Sequence, residues 1–223
     1  MKTTEWILTL MLSYVALLLA IAWVSRLKPG ITLHDKLCPN NFRMLNYLHA
    51  IGITVMLIIP FMAMPLPVFP LSFPDKLSVA QTGGFLVCFF MIAFLPWRKF
   101  SDTSHKPEYN FSALPPILLY VSLRLLFLVS YEWFFRGLLL TSVSLLLGLT
   151  WSIIINLLLY TLIHFQKSKK EIVGCLPFGL LVCLFTVWWQ SVWPAIIFHL
   201  QIAIIHEWPT LQKFVSPQKQ ATI

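Results

Sequence analysis

Seven apolar runs, most of them near the length that crosses a bilayer, constrain this chain more than any other feature. An α-helix rises 1.5 Å per residue, so about 20 largely apolar residues cover the roughly 30 Å of hydrocarbon in a membrane. Such runs occupy Trp6–Val24, Met44–Met64, Ser78–Trp97, Pro116–Gly148, Trp151–Phe165, Ile172–Gln190 and Val192–Trp208, the fifth and seventh being short. Charged residues make up 11% of the 223, against about 25% in soluble domains, too few to solvate a water-facing surface. The pattern predicts an all-α polytopic membrane protein of about seven transmembrane helices, a single transmembrane domain over residues 1–223 in contact with membrane lipid.

The fourth run is 33 residues long, enough for one tilted or broken helix or for two cramped crossings. Charge distribution separates these. With one crossing, twelve basic residues, in segments 26–43, 98–106, 167–170 and 213–219, fall on one side of the membrane, and only Lys2 and Lys76 on the other. Two crossings would move the last two segments across and destroy the asymmetry. The positive-inside rule therefore predicts one long or broken fourth helix, an external N-terminus and a cytoplasmic C-terminus. The net charge of +8 has the same origin, because no basic helix or domain offers a nucleic-acid surface. The first run has some marks of a signal peptide, Lys2 ahead of it and Ala20-Ile21-Ala22 as a small-x-small site, but its length and Glu5 favour a membrane helix. Cys38, Cys88, Cys175 and Cys183 have neither disulfide-framework nor zinc-finger spacing. Pro65–Pro74 is expected as an external loop, and Trp188, Trp189 and Trp193 as an aromatic belt at the outer end of the last two spans.

A charge at the bilayer centre costs about 2.5–3.5 kcal/mol on insertion scales, so ionisable residues inside the runs need a reason. The conspicuous ones are Arg124, Glu132 and Arg136 in the fourth run, His164 at the inner end of the fifth, and His199, His206 and Glu207 in the seventh. Glu132 is the acid deepest in an apolar run. It precedes Arg136 by four residues, which puts both on one helical face where they can pair. By residue type alone this is equally a structural ion pair that neutralises Arg136. The fifth run carries Asn156, Tyr160 and His164 at intervals of four, a polar stripe ending in an imidazole. Two imidazoles and a carboxylate on separate helices suit two chemistries. One is a zinc site of Glu132, His164 and His199; the other is metal-free activation of water with support for an oxyanion. The zinc-peptidase helix HExxH is absent.

In chain order, Tyr131-Glu132-Trp133-Phe134-Phe135-Arg136-Gly137, then Tyr160-Thr161-Leu162-Ile163-His164, then His199 in an apolar helix resemble the motifs of the CPBP family of intramembrane proteases. That family includes the CAAX-processing endopeptidases and the bacterial Abi proteins. Its marks are EExxxR, often followed by glycine, then FxxxH, then HxxxN or HxxxD. The resemblance covers roughly Pro116–Glu207. It sets Glu132 at the second glutamate, Arg136 at the arginine, His164 at the histidine of the second motif and His199 at that of the third. Tyr131 stands at the first glutamate, Tyr160 at the phenylalanine and Ala203 at the final Asn or Asp.

The resemblance implies hydrolysis of peptide bonds in a membrane peptide or protein substrate, without a cofactor, zinc being the less favoured alternative. In the family the first glutamate and the second-motif histidine are held to activate water, and the third-motif histidine with its Asn to hold the oxyanion. Carried over, Glu132 and His164 are expected to activate water, His199 to stabilise the oxyanion and Arg136 to orient Glu132, with Tyr131, Tyr160 and Asn156 in support. A phenol, of ordinary pKa about 10, is no carboxylate base near neutral pH. Neighbouring helical residues point about 100° apart, so Glu132 needs a local unwinding or a shifted substrate path to serve for position 131. The departures at Tyr131 and Ala203 motivate a second expectation, a family member that binds membrane peptides or partner proteins without cutting them. A small transporter using the same residues as a relay is the third, and the internal repeat common in such folds is missing.

Overall fold

The computed structural model describes residues 3–27, 39–63, 73–94, 114–164 and 169–215, and all regular structure among them is helical. Seven rods follow one another. The first is α1 (Thr3–Leu27). The second is α2 (Pro39–Ile53), continued through a π-helical turn at Thr54–Ile58 into α3 (Ile59–Ala63), and the third is α4 (Val79–Phe94). The fourth is α5 (Leu114–Glu132), continued through a π turn at Trp133–Leu139 into α6 (Leu140–Leu147). Then come α7 (Leu149–Ile163), α8 (Lys169–Trp189) and α9 (Trp193–Val215). Glu5–Trp23, Met44–Ala63, Leu118–Leu147 and Glu171–Trp189 are long and apolar enough to cross a membrane; Val79–Phe94, Leu149–Ile163 and Trp193–Ile205 are apolar but shorter. The protein is an integral membrane protein. Of the expected loop at Pro65–Pro74, only Phe73 and Pro74 lie within the described residues.

The fourth rod is one helix, about 50 Å long at 1.5 Å per residue, and not two crossings. It ends at Gly148, whose φ of +82° lies in the left-handed region that disfavours a residue bearing a Cβ. That single residue reverses the chain into α7, which packs back along α6.

On α1, both faces are apolar. Leu8, Leu12, Val15, Leu19 and Trp23 form an exposed stripe, while Leu10, Tyr14, Leu17 and Ile21 are buried. Lipid is as apolar as leucine, so the choice of face falls to close packing and interhelical hydrogen bonds. Trp6 Nε1 donates to Ser142 Oγ at 2.7 Å, and the Tyr14 hydroxyl to the Leu159 carbonyl at 2.8 Å. These bonds fasten α1 to α6 and α7.

The main core gathers Tyr131–Leu139 with buried residues of α1, α2, α7 and α9, and the two π turns pack against each other. A second, aromatic cluster hangs α4 on α8 and α9. There Phe85 lies 4.7 Å from Phe198 and 5.0 Å from Trp189, centroid to centroid. Trp189 is therefore buried in the bundle and does not face an interface as the aromatic-belt pattern predicted, whereas Trp188 stays half exposed.

Candidate active site

The residues that carry the motifs meet where α5, α7, α8 and α9 surround the second π turn. Every residue from Ser130 to Leu140 is buried. A π turn closes i to i+5 bonds, here from the Leu140 N–H to the Phe135 carbonyl, and so accommodates one residue more than an α turn. It starts at Trp133, immediately after Glu132. The helix thus departs from α geometry beside the acid.

Glu132 and Arg136 are both fully buried, and Arg136 Nη1 lies 3.1 Å from Glu132 Oε2. The other carboxylate oxygen, Oε1, meets His199 Nδ1. One buried acid therefore faces a guanidinium from its own helix and an imidazole from α9. The guanidinium lies over the Tyr160 ring at 4.4 Å from the centroid, so the aromatic ring at this position supports the charge by a cation–π contact. Among the described residues, none of the Arg136 side-chain nitrogens has a well-aligned hydrogen-bond acceptor, and the buried Tyr131 hydroxyl has no hydrogen-bond partner. Tyr131 stands edge-on to His199, ring centroids 5.7 Å apart, and 5.9 Å from Tyr160.

His164 caps the C-terminus of α7. Its Nδ1 lies 2.9 Å from the Tyr160 carbonyl and its ring 4.9 Å from the Tyr160 ring. A carbonyl only accepts, so Nδ1 carries the proton and, in the neutral imidazole, Nε2 holds the lone pair. The same logic applies to His199, whose Nδ1 faces a carboxylate. Tyr160 links the second-motif histidine to the Arg136 side of the acid cluster. Among the described residues no group of three His, Cys, Asp or Glu side chains is placed to hold a metal ion.

Asn156, first in the polar stripe of α7, is fully buried. Its Nδ2 donates to the Phe135 carbonyl at 2.6 Å, and its Oδ1 accepts from the Cys183 thiol at 3.5 Å. The Phe135 carbonyl thereby receives two donors, one from the π turn and one from α7.

Arg124 and Glu207 also find each other. Arg124 Nε lies 2.8 Å from Glu207 Oε1, and the Tyr120 hydroxyl donates to Glu207 Oε2 at 3.1 Å. Arg124 and Glu132 are eight residues apart on α5, and so are His199 and Glu207 on α9. The two ionic pairs are rungs of one antiparallel register, about 12 Å apart along the axis. Midway, that register sets Leu128 level with Ala203, both buried. An apolar rung stands where the family pattern has Asn or Asp.

Sequence patterning did not single out His49, although it lies within the run Met44–Met64. It is buried with its ring 5.2 Å from Phe127 and 5.6 Å from Tyr120, which adds an imidazole from α2 beside the Arg124–Glu207 rung. The signal was a polar residue in an apolar run, masked by its neighbours Asn46 and Tyr47. The His206 side chain lies outside the described residues.

Residues 113–205 match a family model described as Rce1-like, type II CAAX prenyl endopeptidase. No curated protein and no solved structure matches the chain.

Proposed function

We propose, from the match of residues 113–205 to the Rce1-like model, that the chain is an endopeptidase cutting a membrane-anchored peptide or protein tail. The observation that supports this most is the buried contact between Glu132 and His199. A carboxylate that accepts from Nδ1 fixes the imidazole tautomer and ring orientation and stabilises the imidazolium form. Nε2 is then left as a base for water. Arg136 balances the second carboxylate oxygen. Water loses its proton to His199 Nε2 and attacks the scissile carbonyl. The oxygen of that carbonyl becomes an oxyanion, for which the Tyr131 hydroxyl is the donor at hand. His199 returns the proton to the leaving amine. Water activation is assigned to His199 in preference to His164 because the contact with the acid is direct, whereas Tyr160 connects His164 to the cluster.

The test uses the purified protein in proteoliposomes with an internally quenched, prenylated peptide ending in a CAAX sequence. Wild type should cleave it. Glu132→Gln and His199→Ala, each shown to be folded by thermal melting, should lose at least about 10²-fold in kcat, as removal of acid–base machinery does. Turnover unchanged in both variants would remove this mechanism.

A non-cleaving peptide binder is the second reading. It is favoured by Tyr131 at the first-glutamate position and by the apolar Leu128–Ala203 rung. Saturable peptide binding by wild type, with the peptide recovered intact, would establish it.

A further inference from the structure

Water activation by His199 depends on where Glu132 sits, and Glu132 and Arg136 flank the start of a turn that is not α-helical. Such a turn needs its own support. Its defining bond runs from the Leu140 N–H to the Phe135 carbonyl, and the side chain of Asn156 donates to that same carbonyl at 2.6 Å. The Phe135 carbonyl belongs to the peptide unit that also carries the Arg136 nitrogen. Fixing its direction therefore fixes where the Arg136 side chain departs from the helix. From there the chain of contacts is short: Arg136 Nη1 to Glu132 Oε2 at 3.1 Å, and Glu132 Oε1 to His199 Nδ1.

We infer that Asn156 is a positioning residue, which holds the π turn open and thereby sets the Glu132–His199 contact; the catalytic part of this inference rests on the proposed endopeptidase mechanism. Its amide is committed at both ends. Nδ2 is spent on Phe135, and Oδ1 accepts from Cys183 on α8, so the amide cannot flip without losing both partners. In a buried site a carbonyl lone pair that loses its donor is costly, and the turn gains a reason to close into α geometry when Asn156 is removed. Closing the turn would change the angular step of every residue from Trp133 to Leu139, and so move the Arg136 side chain and the rod beyond it relative to Glu132.

Ser152 provides the comparison. It sits one turn earlier on α7 and donates to the Leu140 carbonyl at 2.5 Å, just past the π turn. Its bond joins the same two rods without touching the peptide that carries Arg136. A merely structural role for Asn156 would make the two residues equivalent.

The experiment labels histidine isotopically in the full-length protein in micelles and follows the His199 Nδ1–H proton resonance, assigned by its loss in His199→Gln. Asn156→Ala is expected to shift or abolish that resonance and to lower kcat about 10²-fold while KM stays within about twofold, the consequence of misplacing a catalytic group by about 1 Å. Asn156→Gln, which keeps the amide, should restore part of both. Ser152→Ala should lower the melting temperature and leave the resonance in place. Cys183→Ala, a milder change that frees only Oδ1, should shift the resonance in the same direction by less, and it decides the matter if Asn156→Ala does not fold. An unmoved His199 resonance in a folded Asn156→Ala, or an equal shift in Ser152→Ala, would overturn the inference. Should wild type prove unable to cleave, the resonance still reports on the positioning, so the two ideas fail separately.

Discussion

Glu132 is the residue on which the site turns, because two cationic or protonatable partners share its two buried oxygens. Removing one partner of a buried pair costs more than removing both, since the survivor keeps its charge with nothing to neutralise it. Glu132→Ala should therefore destabilise the protein by about 3–5 kcal/mol, and Glu132→Ala combined with Arg136→Met should recover much of that in a denaturation experiment without restoring cleavage. Tyr131 makes the opposite case. Its hydroxyl has no hydrogen-bond partner among the described residues. Tyr131→Phe should leave the melting temperature unchanged and, if the hydroxyl supports the oxyanion, reduce kcat about 10²-fold. An equal loss of stability and activity would place the hydroxyl in packing instead. Glu132, Arg136, Tyr160 and His164 were legible in the sequence because each pair lies four residues apart on one helix. The Glu132–His199 and Arg124–Glu207 pairs were not, since they join residues 67 and 83 positions apart and depend on how two helices are set side by side.

At the scale of elements, apolar length identified the rods but gave no sign of where a helix changes its winding. Both π turns lie inside apolar runs, and neither Gly137 in the second nor Pro60 just past the first marks by itself where the winding changes. What holds the second one is a side chain on another helix, Asn156, and a hydrogen-bonding need invisible in a one-dimensional pattern. The end of the fourth rod was legible, because Gly148 closes the apolar run and its positive φ explains why glycine stands there. Gly148→Ala should cost about 1–2 kcal/mol in a thermal or denaturant melt, the penalty of a left-handed residue with a Cβ. Trp6→Phe removes one interhelical donor, and in a membrane such bonds average about 0.6 kcal/mol. The same melt should show a loss of that size; a much larger one would mean that α1 is held chiefly through Trp6.

For the whole molecule, charge distribution carries information that packing does not. Twelve basic residues on one side against two on the other lead us to expect an external N-terminus and a cytoplasmic C-terminus. Cysteines introduced singly at positions 2 and 219, with the native thiols replaced, should react with a membrane-impermeant reagent in intact cells at the first position. The second should react only after permeabilisation. The reverse pattern would refute the orientation. Amino-acid sequence alone determined the class of protein, the number of rods, a fourth rod that is one long or broken helix and the acid–arginine pair, because hydrocarbon thickness and helical periodicity act locally along the chain. Tertiary structure decided which imidazole meets the acid, that Arg124 is matched by Glu207, that Trp189 turns inward and that α5 widens beside Glu132. Lipid makes all apolar faces equivalent, so the helices find their neighbours through close packing and a few buried polar contacts, and those contacts exist only once the rods are assembled.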